Sequence, residues 1–209
     1  KDLPETAAEA GEVAELYRAL RRNEPVAVWQ KADASEARLK RLDGLAGPPR
    51  VLHLATHGFY LDAATALPLP LLRSGLSLAG ANRAGEAVEG EEDGILYALE
   101  AQSLNLEGTE LVVLSACETG RGSIDYSEGV DGLVRALRIA GAQRVLMTLW
   151  PVNDRLAKEF MVEFYQTWLQ QQRSDPAAAL RAVKVSWQSS DDPARRDPRN
   201  WAPYVLIGA

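Results

Sequence analysis

The 209-residue chain is poor in the residues that cross-link or bind metals: it has one cysteine and two histidines. A single cysteine excludes an internal disulfide and fits a reducing compartment, so the cytoplasm is the expected location. Two histidines and one cysteine leave a zinc site short of ligands unless carboxylates complete it. No spacing suggests that, and neither a metal nor a cofactor is expected. No apolar run approaches the ~18 residues needed to span a bilayer as a helix. The opening KDLPETAAEAGEV is acidic and lacks the apolar stretch of a secretion signal. It also lacks an initiator Met, and the chain is therefore expected to be an excised or processed piece of something longer. Basic residues, 23, are outnumbered by 29 acidic ones. A net charge of -6 and a pI near 5.1 argue against nucleic acid as the partner, and would suit a basic peptide.

The hydrophobic fraction of 46% and the charged fraction of 25% are those of a globular protein, and the length fits one domain over 1–209. Residues 5–22 carry Val13, Leu16 and Leu20 at helical spacing. PVAVWQ, from Pro25, reads as a short strand. Asp33 is positioned to cap a helix through Leu39 and Leu42, ending near Gly44. After Gly47-Pro48-Pro49, residues 51–56 form an apolar strand. Residues 58–93 hold two prolines and five glycines and read as a long irregular stretch; the acidic AGEAVEGEEDG at its end reads as an exposed loop. A short helix is expected over 94–101, a buried strand over 111–115, and an amphipathic helix over 129–140 with Val130, Leu133, Val134, Leu137 and Ile139, stopped by Gly141. A strand over 144–149 precedes Trp150-Pro151. Helices follow from Asn153 to about 171 and from Pro176 to about 187. DDPARRDPRN reads as a loop, and WAPYVLIGA as an edge strand, since Pro203 suits no central one. Strands alternating with helices, several apolar throughout, predict an α/β fold with a mostly parallel sheet between helices.

In such sheets, sites lie at the carboxyl ends of strands. Cys117 follows one strand and His57 another. A lone cysteine is most often a small buried hydrophobe, but one flanked by Ser115-Ala116 and Glu118-Thr119-Gly120 is a poor core residue. A nucleophile with a histidine to manage its proton is the sharper reading. The backbone N–H groups of Gly58 and Cys117 are candidates for an oxyanion hole. His53, inside its strand, reads as a core residue. Asp154 reads from spacing alone as a first-turn helix acid, with a pocket carboxylate as the alternative. The loop ETGRG allows a rival, a phosphate- or nucleotide-binding module. It is opposed by the acidic pI and by the lack of either glycine-rich nucleotide fingerprint.

HLATHGF, LVVLSACETG, EGVDGLVRALRIAGAQRVLMTLWPVND and WAPYVLIG, with RSGLSLAGAN at 73–82, together resemble the CHAT family from about residue 33 to the end. These are caspase-like cysteine peptidases related to separase, often joined to TPR repeats. The resemblance implies a caspase-like sheet with helices on both faces. It also implies His57 and Cys117 as a catalytic dyad, with Gly58 and Cys117 backbone as oxyanion hole. By similarity to separase, Asp154 receives a basic residue before the cleaved bond, and Trp150 walls the same pocket. No arginine pair of the kind caspases use for Asp is evident. The implied function is a cysteine endopeptidase acting on a protein partner, without nucleic acid or membrane, in bacterial regulation or defence. The family usually carries a catalytically silent segment ahead of this region and often TPR repeats, so a regulatory segment or chain beyond these residues is implied. A silent interaction module on the same fold is the alternative.

Overall fold

The computed structural model describes residues 4–42, 46–61, 69–86, 91–115, 126–170 and 175–208. Two compact units emerge, named here for their place in the chain: a central unit, 29–151 with 207–209, and a terminal unit, 1–28 with 152–206.

The central unit is built on parallel strands β1 (Val51–Ala55), β5 (Leu111–Ser115) and β6 (Val145–Thr148), in the order β1-β5-β6. Val51 faces Leu111 and Ala55 faces Ser115; Val112 faces Val145 and Leu114 faces Met147. Leu111–Leu114 and all of β6 are buried, which is why both strands read as continuous apolar runs rather than alternating ones. Helix α4 (Tyr126–Ile139) packs on β6 and on α3 (Ala98–Ala101) through its buried Leu133, Val134 and Leu137, whereas Ile139 faces outward. The helix ends as its sequence predicts: Gly141 takes a φ of 112°, and the Ala142 N–H closes back on the Leu137 carbonyl at 3.1 Å. A Cβ there would lie 2.6 Å from the Glu107 amide. The fold class is thus the expected one, a mostly parallel sheet flanked by helices.

Several local expectations need correction. Residues 58–93 are not one irregular stretch. They contain β2 (His57–Tyr60) and β3 (Ser74–Ser77), which with β4 (Ile95–Tyr97) form an antiparallel sheet ordered β2-β3-β4. The short helix expected over 94–101 is β4 followed by α3. PVAVWQ is irregular. Pro25 offers no N–H to a ladder, and Trp29 instead lies under the Arg38 guanidinium, 4.9 Å from the ring centroid. Helix α2 (Glu36–Arg41) is capped by Ser35, whose Oγ accepts the Arg38 amide, and not by Asp33, which pairs with Arg38 at 3.0 Å. The helix closes at Leu42 with φ 48°, short of Gly44.

The terminal unit packs α1 (Pro4–Leu20) and α6 (Pro176–Gln188) on α5 (Asp154–Gln170). Leu156, Phe160, Met161, Phe164, Tyr165, Trp168 and Leu169 are buried along α5, a repeat of three and four that keeps one stripe inside. Phe160 stacks on Tyr204 of β7 (Tyr204–Ile207) with centroids 3.8 Å apart. Burial holds the Tyr165 phenol well above its ordinary range, with Glu9 adding to the effect. Within DDPARRDPRN a single turn of helix, α7 (Pro193–Arg196), brings Arg195 onto Glu159 at 3.1 Å and over the Trp187 ring.

Candidate functional site at the carboxyl end of the parallel strands

The register of β1 on β5 is offset by 60 positions throughout. The same 60 positions separate His57 from Cys117. His57 stands two residues past Ala55, the end of β1; Trp150 stands two past Thr148, the end of β6. In sequence, Cys117 stands two past Ser115, the end of the strand between them. Cys117, including its backbone N–H, lies outside the described residues, as does the ETGRG loop.

His57 does not open an irregular stretch. It is the first residue of β2 and pairs with Ser77, while Gly58 pairs with Leu76. Both are half-buried. The chain therefore leaves the parallel sheet and enters the antiparallel one within one residue, Thr56. The Thr56 amide donates to the Ser115 carbonyl at 3.3 Å, and its hydroxyl donates to the Ser77 carbonyl. Sequence reasoning passed over Thr56; the available signal was a hydroxyl residue wedged between an apolar strand and a candidate catalytic histidine. His53 lies inside β1 opposite Val113 and is half-buried.

Trp150 is half-buried beside the end of β6. Asp154 belongs to the terminal unit, where it is the exposed first residue of α5. Asn153 precedes it, accepting the Leu156 amide at 3.4 Å. Its position is that of a helix first-turn acid, as spacing alone predicts.

Among the described residues, one group of carboxylates converges tightly: Glu36, Glu92 and Glu100 offer oxygens within 4.8 Å of one another. A cation already sits among them. Lys40 Nζ lies 2.7 Å from Glu36, 2.5 Å from Glu92 and 2.7 Å from Glu100. Glu36 Oε2 also accepts the Gly94 amide at 2.9 Å, and Glu100 Oε2 accepts the Tyr97 amide. Burial pulls the Lys40 ammonium down, but the hydrogen bonds to the three carboxylates outweigh it and leave its pKa raised. Burial raises Glu36, with Lys40 offsetting only part, whereas the Lys40 hydrogen bond lowers Glu92. The arrangement is an ion-pair hub that ties α2 to the start of β4 and α3. The i,i+4 spacing of Glu36 and Lys40 was readable in the sequence; the two distant glutamates were not.

No helix among the described residues is long and apolar enough to cross a membrane. The CHAT domain family matches residues 1–209, the whole chain. Tetratricopeptide repeat protein 28 of Mus musculus is 36% identical over 115 residues, which is 55% of this chain and 4% of that protein. The Homo sapiens protein of the same name matches to the same extent. The chain thus spans only a small part of the length of these curated relatives.

Proposed function

The chain belongs to the CHAT domain family, a family of caspase-like peptidases, and from that premise we propose that it is a cysteine endopeptidase with a His57/Cys117 dyad. The Cys117 thiolate attacks the scissile carbonyl, and His57 accepts the thiol proton and returns it to the leaving amine. The resulting acyl-enzyme is released by water. Backbone N–H groups of Gly58 and Cys117 receive the oxyanion.

The observation that carries this reading is the shared strand register. Two residues of chain reach at most ~7 Å, and neighbouring strands lie ~4.8 Å apart. Ala55 and Ser115, the last residues of β1 and β5, lie opposite each other, and His57 and Cys117 each follow two positions later in the sequence, at the strand ends where open α/β sheets place their sites. Asp154 as the acid that receives a basic substrate side chain, and Trp150 as a second pocket residue, rest on the motif TLWPVND and not on a distance. The substrate proposed is a protein cut after Arg or Lys. The name of the mammalian relatives supports an associated TPR region, here proposed as regulator. Action in the cytoplasm rests on the single cysteine, and a role in bacterial regulation or defence on the family resemblance; the two relatives named above are mammalian.

Turnover of fluorogenic peptides ending in Arg, Lys, Asp, Met or Leu tests the reading. Cys117→Ala is expected to abolish cleavage, and His57→Ala to lower it at least about a hundredfold. Cleavage that survives Cys117→Ala would refute the dyad.

A further inference from the structure

We infer that Thr56 is the positioning residue that fixes where His57 stands relative to the end of β5, an inference that rests on the dyad proposed above. Thr56 belongs to neither sheet, yet it is bonded to both. Its amide holds the last carbonyl of β5, Ser115. Its hydroxyl holds the carbonyl of Ser77, the β3 residue directly opposite His57. The next residue along the chain is His57 itself, so the two bonds clamp the histidine backbone from both sides. Any residue except proline supplies the amide bond, but a short side-chain hydroxyl, that of Ser or Thr, supplies the other. Branching at Cβ restricts the threonine χ1 and keeps the hydroxyl aimed. Without that bond, the crossing between the sheets keeps its amide bond to Ser115 but loses its tie to the β3 residue opposite His57. Displacements of about 1 Å are costly when a proton must pass between two side chains.

The pH dependence of Cys117 alkylation by iodoacetamide tests this without requiring a substrate or an activator. Cys117 is the sole cysteine, so the adduct mass reads that thiol alone. The full chain is compared with His57→Ala, Thr56→Val and Thr56→Ser, each checked for an unchanged unfolding midpoint. A free thiol ionises near pH ~8.5. The parent chain is expected to react well below that pH, and His57→Ala to lose this acid-side reactivity. Thr56→Val is expected to fall about three- to tenfold toward the His57→Ala curve near pH 6.5, the scale of one lost hydrogen bond. Thr56→Ser should retain the parent profile. Should Thr56→Val fail to fold, Thr56→Ala carries the same expectation. A Thr56→Val curve on the parent's, with His57→Ala displaced, overturns the role of Thr56 and leaves the dyad standing. A His57→Ala curve on the parent's overturns the dyad and this inference with it. A Thr56→Ser curve on that of Thr56→Val overturns it as well, because the hydroxyl would then not be the cause.

Discussion

Replacing Lys40 by Met would leave three carboxylates facing one another with no cation between them, and the burial of each sets the cost. Glu92 and Glu100 are 39% and 33% exposed, so water takes over much of their solvation and each lost pair is worth about 0–1 kcal/mol. Glu36 is 1% exposed, and removing the partner of a buried charge costs about 3–5 kcal/mol. Part of that is recovered, since Glu36 keeps the Gly94 amide and is free to take a proton. A net loss of about 3 kcal/mol at pH 7.5 is expected from urea unfolding with an unchanged slope.

The gap should narrow on acidification. Glu36 is already raised by burial, and without Lys40 it rises further. Between its folded pKa and the ordinary carboxylate range the folded variant then binds more protons than the unfolded one, so its stability increases as pH falls. In the parent chain Glu92 works the other way: Lys40 lowers it, so its contribution is full above the ordinary carboxylate value and is lost as pH falls from there through the lowered folded one. Lys40 itself, being raised, contributes fully at every pH below the ordinary lysine range. A gap under about 1 kcal/mol at pH 7.5, or one constant from pH 8 to 5, would refute the reasoning. Glu36→Gln added to Lys40→Met should restore stability at pH 7.5.

Gly94→Ala should destabilise the chain by more than about 2 kcal/mol in the same assay: Gly94 has φ 81°, and an added Cβ would lie 2.4 Å from the Ala81 amide and 2.9 Å from the Ala79 carbonyl. Asp154→Asn should reduce kcat/KM for Arg and Lys peptides about ten- to a hundredfold while sparing Leu or Met peptides; equal losses on all of them would remove Asp154 from the pocket.

What the sequence made legible was whatever depends on bulk burial. Strands β5 and β6 are covered on both faces and announce themselves as unbroken apolar runs, and α5 as a stripe. The antiparallel sheet stayed hidden for the opposite reason. Gly75 must be small, because a Cβ there would sit 2.6 Å from the Leu96 carbonyl and 2.9 Å from the Phe59 ring. A strand written SGLS, like one written HGFY, reads locally as loop. The Lys40 hub was hidden because its carboxylates meet only once distant segments have paired. The ends of β1 and β6 were legible because apolar character is lost at Thr56-His57-Gly58 and because Pro151 closes the second run. What Thr56 does there was not, since its partners are two carbonyls that no side-chain pattern encodes.

The terminal unit is made from both ends of the described chain, and Lys158 reaches Glu12, 146 positions away in the sequence. A ribosome working at about 5–20 residues per second would release α1 roughly 7–30 s before the helix it packs on. Through that interval Val13, Ala14 and Tyr17, buried at the end, have no native surface to cover them. The strands β1 to β6 arrive as one continuous stretch and need nothing from either end to begin pairing. Synthesis thus imposes an order, with the sheet able to form before α1 is fastened. Nascent chains stalled before residue 154 should already protect β1 and β5 amides from exchange while α1 remains unprotected.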